Sequence, residues 1–215
     1  MQHASHPIKL QGDLCTLVPL SLDHHDELAE SAADGELCKL WYTFVPEPNK
    51  VKENIALRLK LQREESMLPF AVISNQTQKA VGMTTYLNID REHQRVEIGG
   101  TWYRKSVQRT GLNTECKVLL LSHAFEFMDC IAVEFRTHAL NYQSRQGIER
   151  LGAKLDGVLR NHMKMPNGTL RDTYVYSIIA SEWPTIKTHL EFLKKKYIEN
   201  ASQCNNHDKY YSSQC

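Results

Sequence analysis

The 215-residue chain has no apolar run close to a bilayer crossing, which takes roughly 20 such residues. It also lacks a charge excess: 26 Lys and Arg face 25 Asp and Glu. That balance calls for neither a nucleic acid nor a membrane surface as partner. Paired metal-ligand motifs are missing too. Cys15, Cys38, Cys116, Cys130, Cys204 and Cys215 form no Cys-x-x-Cys motif, and none stands beside a histidine at zinc-ligand spacing. The expectation is no metal, and reduced thiols in a cytoplasmic protein. His24 and His25 are adjacent, so on a helix they point about 100° apart and read as solvated residues. Residues 1–7 carry neither the basic nor the apolar region of an export signal and read as a flexible N-terminus.

What is present is enough for one full-sized domain, expected over residues 8–197, with 198–215 a polar, mobile tail. Ile8 to Val18 reads as a strand closed by Pro19. Ser21 is placed to cap a helix with Asp23 and Asp26 in its first turn, and Asn49 to cap a second one along Ile55 and Leu59. Three short strands follow, at 70–74, 80–87 and 95–103, joined by polar turns. A helix is expected over 110–128, a strand over 132–137, a helix over 143–151, two strands over 153–164 and 172–180, and a last helix over 182–197. This order implies a mixed α/β sheet: antiparallel strands joined to a βαβ unit, with helices on both faces.

The most telling stretch runs from Val96 to Phe125. A β-type segment ends at Tyr103, a polar loop follows, and an apolar-periodic helix starts just past Gly111. The first amides of such a helix are unpaired and sit at the positive end of its dipole, an arrangement suited to a phosphate or pyrophosphate. Gly111 lets a ligand approach the backbone closely. An ordinary strand-to-helix connection is the alternative. A nucleotide P-loop is disfavoured, because no lysine follows the glycine.

Downstream stand Asn141-Tyr142-Gln143-Ser144 and Glu149 to Ala153. With the Gln108-x-x-Gly111 loop and the strand order, they make the chain resemble the GNAT superfamily of N-acetyltransferases, in its RimJ/RimL-like branch. Gly12-Asp13, Val18 to Leu20, Leu68 to Ile73, Thr101 to Tyr103, Gly157 to Arg160 and Glu182 to Pro184 carry the same resemblance. It covers roughly Ile8 to Leu193 and implies the GNAT acyl-CoA fold, with acetyl-CoA as cofactor. It also implies direct attack by a primary amine in a ternary complex.

Carried onto this sequence, the phosphate loop falls on Gln108, Arg109, Thr110, Gly111, Leu112, Asn113 and Thr114. Asn113 replaces the usual glycine or alanine, and Arg109 is either a phosphate contact or a solvated arginine. By resemblance the strand ending at Trp102 and Tyr103 splays from the next one, and the pantetheine arm lies in the gap against Asn141. Asn141 otherwise reads as a helix cap. Because Trp102 and Tyr103 face opposite sides of their strand, at most one is expected to reach the cleft.

Acetyl transfer needs a neutral amine. A lysine amine with a pKa of about 10.4 needs a base more than an α-amine near ~8 does. Glu97, on the strand before the loop, is the favoured base, its pKa raised by burial. Its alternative is a structural carboxylate paired with Arg95 or Arg136. His162 is the second candidate base, or an exposed strand residue. Many relatives place a tyrosine acid seven residues after the asparagine, where this chain has Ile148, so Ser144 becomes the candidate proton donor. A main-chain N–H near Thr101 or Trp102 is the expected oxyanion donor. Trp41 and Tyr42 are candidate walls for the acceptor, and plain packing is their alternative. A peptide N-terminus is the favoured acceptor. A polyamine or antibiotic amine is the alternative, as is a non-catalytic acyl-CoA-binding module. The protein is expected to act as a monomer or homodimer.

Overall fold

Strands rich in Val, Ile and aromatic residues build one eight-stranded sheet in the order β1-β2-β3-β4-β5-β6-β8-β7. The computed structural model describes residues 8–211. The expected flexible N-terminus, 1–7, and the final four residues, 212–215, lie outside the described residues. The strands are β1 (Leu10–Gln11), β2 (Cys15–Pro19), β3 (Met67–Ser74), β4 (Ala80–Asp90), β5 (Arg95–Tyr103), β6 (Ala132–His138), β7 (Lys154–Lys164) and β8 (Leu170–Ile179). Every neighbouring pair is antiparallel except β5 and β6. A helix crosses over between those two, and parallel strands require such a connection. The expected mixed sheet is what forms.

Helices α1 (His25–Ala33) and α2 (Val51–Arg63) cover one face. Leu28, Val51 and Ile55 pack there on Met83 and Trp102. Helices α3 (Leu112–Glu126), α4 (Tyr142–Arg150) and α5 (Trp183–Tyr211) cover the other face, where Leu120, Ile148 and Leu190 meet Phe70, Tyr86, Val133 and Tyr176. Among the described residues no helix is long and apolar enough to cross a membrane.

Four local expectations give way to tertiary contacts. The single strand over 8–18 is a hairpin, β1 with β2. Its turn is fixed by Glu115 of α3, whose buried carboxylate accepts the N–H of Asp13 (2.9 Å), Leu14 (2.6 Å) and Cys15 (2.8 Å). A Cβ on Gly12 would lie 2.5 Å from that carboxylate, so only glycine fits. Ser21 leads into a 3-10 turn, Leu22–His24, and its N–H donates to His24 Nδ1 at 3.1 Å. Asn49 lies inside another such turn, Pro48–Lys50, and so does not cap α2. Finally α5 continues past Tyr197 to Tyr211, since no glycine or proline follows Pro184 to break it. Lys194 of α5 lies 3.2 Å from the same Glu115 carboxylate. Glu115→Ala is therefore expected to destabilise the fold by about 3–5 kcal/mol, because three amides and a lysine lose a buried charged acceptor. Urea denaturation would measure it, with Glu115→Gln intermediate.

Candidate active site

The site begins where the sheet fails to close. β5 and β6 pair only at Arg95↔Ala132, Val96↔Val133 and Glu97↔Glu134, and beyond that they diverge. On its other side β5 carries a bulge: Thr85 pairs with Gly99 but Met83 with Trp102. Gly100 supplies the extra residue at φ +56°, a left-handed value that glycine adopts without strain. The bulge resets the alternation of side chains. Glu97, Gly99 and Trp102 face α1 and α2, whereas Ile98, Thr101 and Tyr103 face α3. A cleft of about 600 Å³ passes through this gap, lined from both faces of the sheet.

On the α3 face stands the loop singled out in the sequence. Arg109 (φ +65°) and Gly111 (φ +87°) are both left-handed, a backbone form that turns successive N–H groups into an anion-binding concavity. Among the described residues no main-chain N–H from Arg109 to Thr114 meets a protein acceptor. The Asn113 side chain does not cap the helix, and its buried carbonyl oxygen has no partner. Gln108 instead donates to the Tyr103 carbonyl at 3.0 Å, tying the loop to the end of β5. Tyr197 of α5 lies over Gly111, where a Cβ would meet it at 2.8 Å. Its hydroxyl accepts from Arg150, whose guanidinium also reaches Thr114. These unpaired amides, with two arginines beside them, fit the diphosphate of a coenzyme A.

Also on this face, Lys117 is buried and donates to Thr101 Oγ1 at 2.8 Å. Burial pulls its pKa down to about 8. Asn141 caps α4, its Oδ1 accepting the Ser144 N–H at 3.0 Å. Both Asn141 and Ser144 line the cleft. Burial pushes the thiols of Cys15 and Cys116 up, so neither is a ready thiolate.

On the α1–α2 face, Glu97 is buried, and its Oε2 is held by Asn88 Nδ2 at 2.7 Å and by Arg136 at 3.6 Å. Burial raises its pKa against the opposing pull of Arg136 and Asn88. Oε1 lies just behind Gly99, where a Cβ would stand 2.8 Å from it, and Gly99 lines the cleft. A side chain at 99 would crowd both this carboxylate and Leu87, so glycine leaves Glu97 room directly behind the cleft wall. Arg95 pairs with Glu134 rather than with Glu97, at 2.6 Å. Together with Arg136, and against its burial, it holds Glu134 below the usual carboxylate range. The irregular segment after α1 supplies an aromatic wall: Tyr42 and Phe44 line the cleft, and Trp41 stands edge-on to His138 at 5.2 Å.

Of the residues picked from sequence, Tyr42, Trp102, Tyr103, Gln108, Arg109, Gly111, Asn113, Thr114, Asn141 and Ser144 line one cleft. Trp102 and Tyr103 both do so, contrary to the expectation for opposite faces, because the cleft runs through the sheet. Glu97, Trp41, Thr110 and Leu112 are not among the lining residues: Glu97 lies against Gly99, Trp41 against Tyr42 and His138, and Leu112 packs in the core. His162 is set apart: it is exposed on β7, outside the lining, with Nδ1 3.0 Å from Thr173 Oγ1. Sequence reasoning missed Arg58, Lys117, His138 and Arg171. Lys117 had a signal, the one lysine or arginine of the α3 segment, set just before the apolar run Val118 to Leu121. Arg58 is brought in by α2 packing on the sheet, where it reaches Thr85, and His138 and Arg171 by strand pairing.

Known proteins share this family and fold. Residues 15–154 match the family model described as Acetyltransferase (GNAT) domain. The chain is 25% identical over 175 residues to the protein named "Uncharacterized N-acetyltransferase p20" in Bacillus licheniformis, covering 81% of this chain and 97% of that one. A solved GCN5-related N-acetyltransferase from Brucella melitensis superposes with a TM-score of 0.79 at 26% identity, over 88% of this chain and 86% of its own. The fold also matches a ribosomal-protein-S5-alanine acetyltransferase from Vibrio fischeri, with a TM-score of 0.66 at 15% identity, over 82% and 98% of the two chains. The family model covers well over half of the chain, and this chain belongs to the GNAT acetyltransferases.

Proposed function

We propose that the protein acetylates the α-amine of a peptide or protein N-terminus, with Glu97 as base and Ser144 as proton donor. The observation that carries this reading is the two-sided cleft: free amides at Gly111 on the α3 face, and Glu97 Oε1 behind Gly99 on the other. Bound acetyl-CoA supplies the acetyl thioester. The loop from Gln108 to Thr114, with Arg109 and Arg150, holds its diphosphate, and Asn141 offers its free side-chain NH₂ to the pantetheine arm. Glu97 removes the proton of the ammonium group, leaving the amine neutral for attack. The main-chain N–H groups at the β5 bulge stabilise developing negative charge. The Ser144 hydroxyl and the Lys117 ammonium supply hydrogen bonds and a proton on the coenzyme's side.

The acceptor side supports a peptide more than a polyamine or an aminoglycoside. No aspartate or glutamate lines the cleft among the described residues, and a polycation would find no counter-charge there. The exposed Trp41 and Phe44 leave that mouth open. Incubation with acetyl-CoA, a peptide library and a panel of small amines tests the reading. Acetylated peptide N-termini in the mass spectrum, with matching thiol release, are expected. Thiol release only with polyamines or aminoglycosides would overturn the peptide reading. Tight acetyl-CoA binding without thiol release for any amine would make the protein a non-catalytic acyl-CoA module, a reading that Ile148 at the tyrosine position favours.

A further inference from the structure

We propose that the acceptor carries a carboxylate a few bonds from its amine, and that Arg171 and His138 receive it. The inference rests on the acetyl-transfer reading and adds the acceptor's chemical class to it.

Two buried residues at the acceptor end of the cleft, Arg171 and His138, have donor capacity that the protein does not use up. Arg171 is 8% exposed. Its Nε donates to Thr173 Oγ1 at 2.9 Å, and it forms no ion pair among the described residues. Its guanidinium faces the cleft, with the Phe44 ring 5.8 Å away. His138 is 4% exposed. Its Nδ1 accepts the Leu140 N–H at 3.0 Å, which fixes the proton of the neutral ring on Nε2. That Nε2 is buried without a partner. The two residues are neighbours through the sheet, since His138 pairs with Thr173, the residue that binds Arg171.

A buried cation that no carboxylate contacts directly and a buried N–H without an acceptor are both costly. One ligand carboxylate would satisfy both. The chain's own carboxylates act on this pair only from a distance, Glu97 on Arg171 and Asp172 on His138, and Asp172 is engaged by Arg160 and the Asn161 N–H. Glu97 sits behind Gly99 on Asn88 and Arg136, and Glu134 is engaged by Arg95 and Arg136. Arg58 and Arg136 add further positive charge to the same face of the cleft. An amine bearing a carboxylate is drawn in and oriented, with its anionic end on Arg171 and its amine toward Glu97. A cationic acceptor is repelled. The carboxylate belongs to a free amino acid, on the carbon that bears the amine, or to an acidic side chain across one peptide bond from a peptide N-terminus, and the test separates the two.

The test compares three amidated peptides alike except at their second residue, beginning Ser-Asp, Ser-Ala and Ser-Lys, together with free aspartate and glutamate. With the full chain and saturating acetyl-CoA, kcat/KM is expected to favour Ser-Asp over Ser-Ala by about tenfold, with Ser-Lys poorest and the difference carried by KM. Arg171→Met is expected to level the series to within about twofold, Arg171→Lys to keep part of the preference, and His138→Phe to weaken it. Free amino acids outrunning every peptide would assign the carboxylate to an amino-acid substrate. Equal kcat/KM across the wild-type series, with free amino acids no better, would overturn the inference and leave acetyl transfer standing. So would an Arg171→Met variant that keeps the full preference. Turnover of no amine at all would overturn both readings. The wild-type series decides even if a variant fails to fold.

Discussion

Glu97→Gln is expected to lower kcat by about 10²–10⁴-fold near neutral pH, the range for loss of a general base. The deficit should grow as pH falls below the amine pKa, down to the pH at which Glu97 itself takes up a proton. There an α-amine with a pKa near ~8 is protonated and depends on the base, whereas at high pH it is already neutral. The wild-type profile carries the complementary sign. Because burial raises the Glu97 pKa, kcat should fall as pH drops through a value above the ordinary carboxylate range. The glutamine variant should instead follow the amine's own titration, its rate rising with pH toward ~8. Steady-state rates across pH, at saturating acetyl-CoA and acceptor, check both statements. A variant with the wild-type profile would leave Glu97 as a structural partner of Arg136 and Asn88.

Gly111→Val should weaken acetyl-CoA binding by about 30–100-fold with far less effect on kcat at saturation. At φ +87° a β-branched residue is strained by a few kcal/mol, and relief moves the loop. The new Cβ would also stand 2.8 Å from Tyr197, so α5 must shift away from the loop. Calorimetric titration reads the affinity, and a thermal melt shows whether the variant folds. An unchanged Kd in a folded variant would mean that the diphosphate binds elsewhere.

The parts legible in the sequence were those fixed locally. β5 spans Arg95–Tyr103 as expected, since its bounds are set by alternation and by the polar loop that follows. The break at Gly111, where α3 starts, was legible for the same reason. The β1–β2 hairpin was not, because the demand for glycine at 12 comes from a carboxylate some hundred residues away in α3. Asn141 showed how a residue can satisfy two readings at once: its Oδ1 caps α4, while the residue itself lines the cleft. His138 and Arg171 carry no local signal. One ends a strand and the other lies near the start of a strand more than thirty residues later, and only the pairing of β6 with β8 makes them neighbours.

Three residue pairs are all that stitch β5 to β6, and the opening beyond them joins the two faces of the sheet. On the proposed reading, donor and acceptor have separate doorways, spent coenzyme backing out past α3 and the modified amine past Trp41 and Phe44. The traffic through this enzyme is set by what the sheet leaves undone.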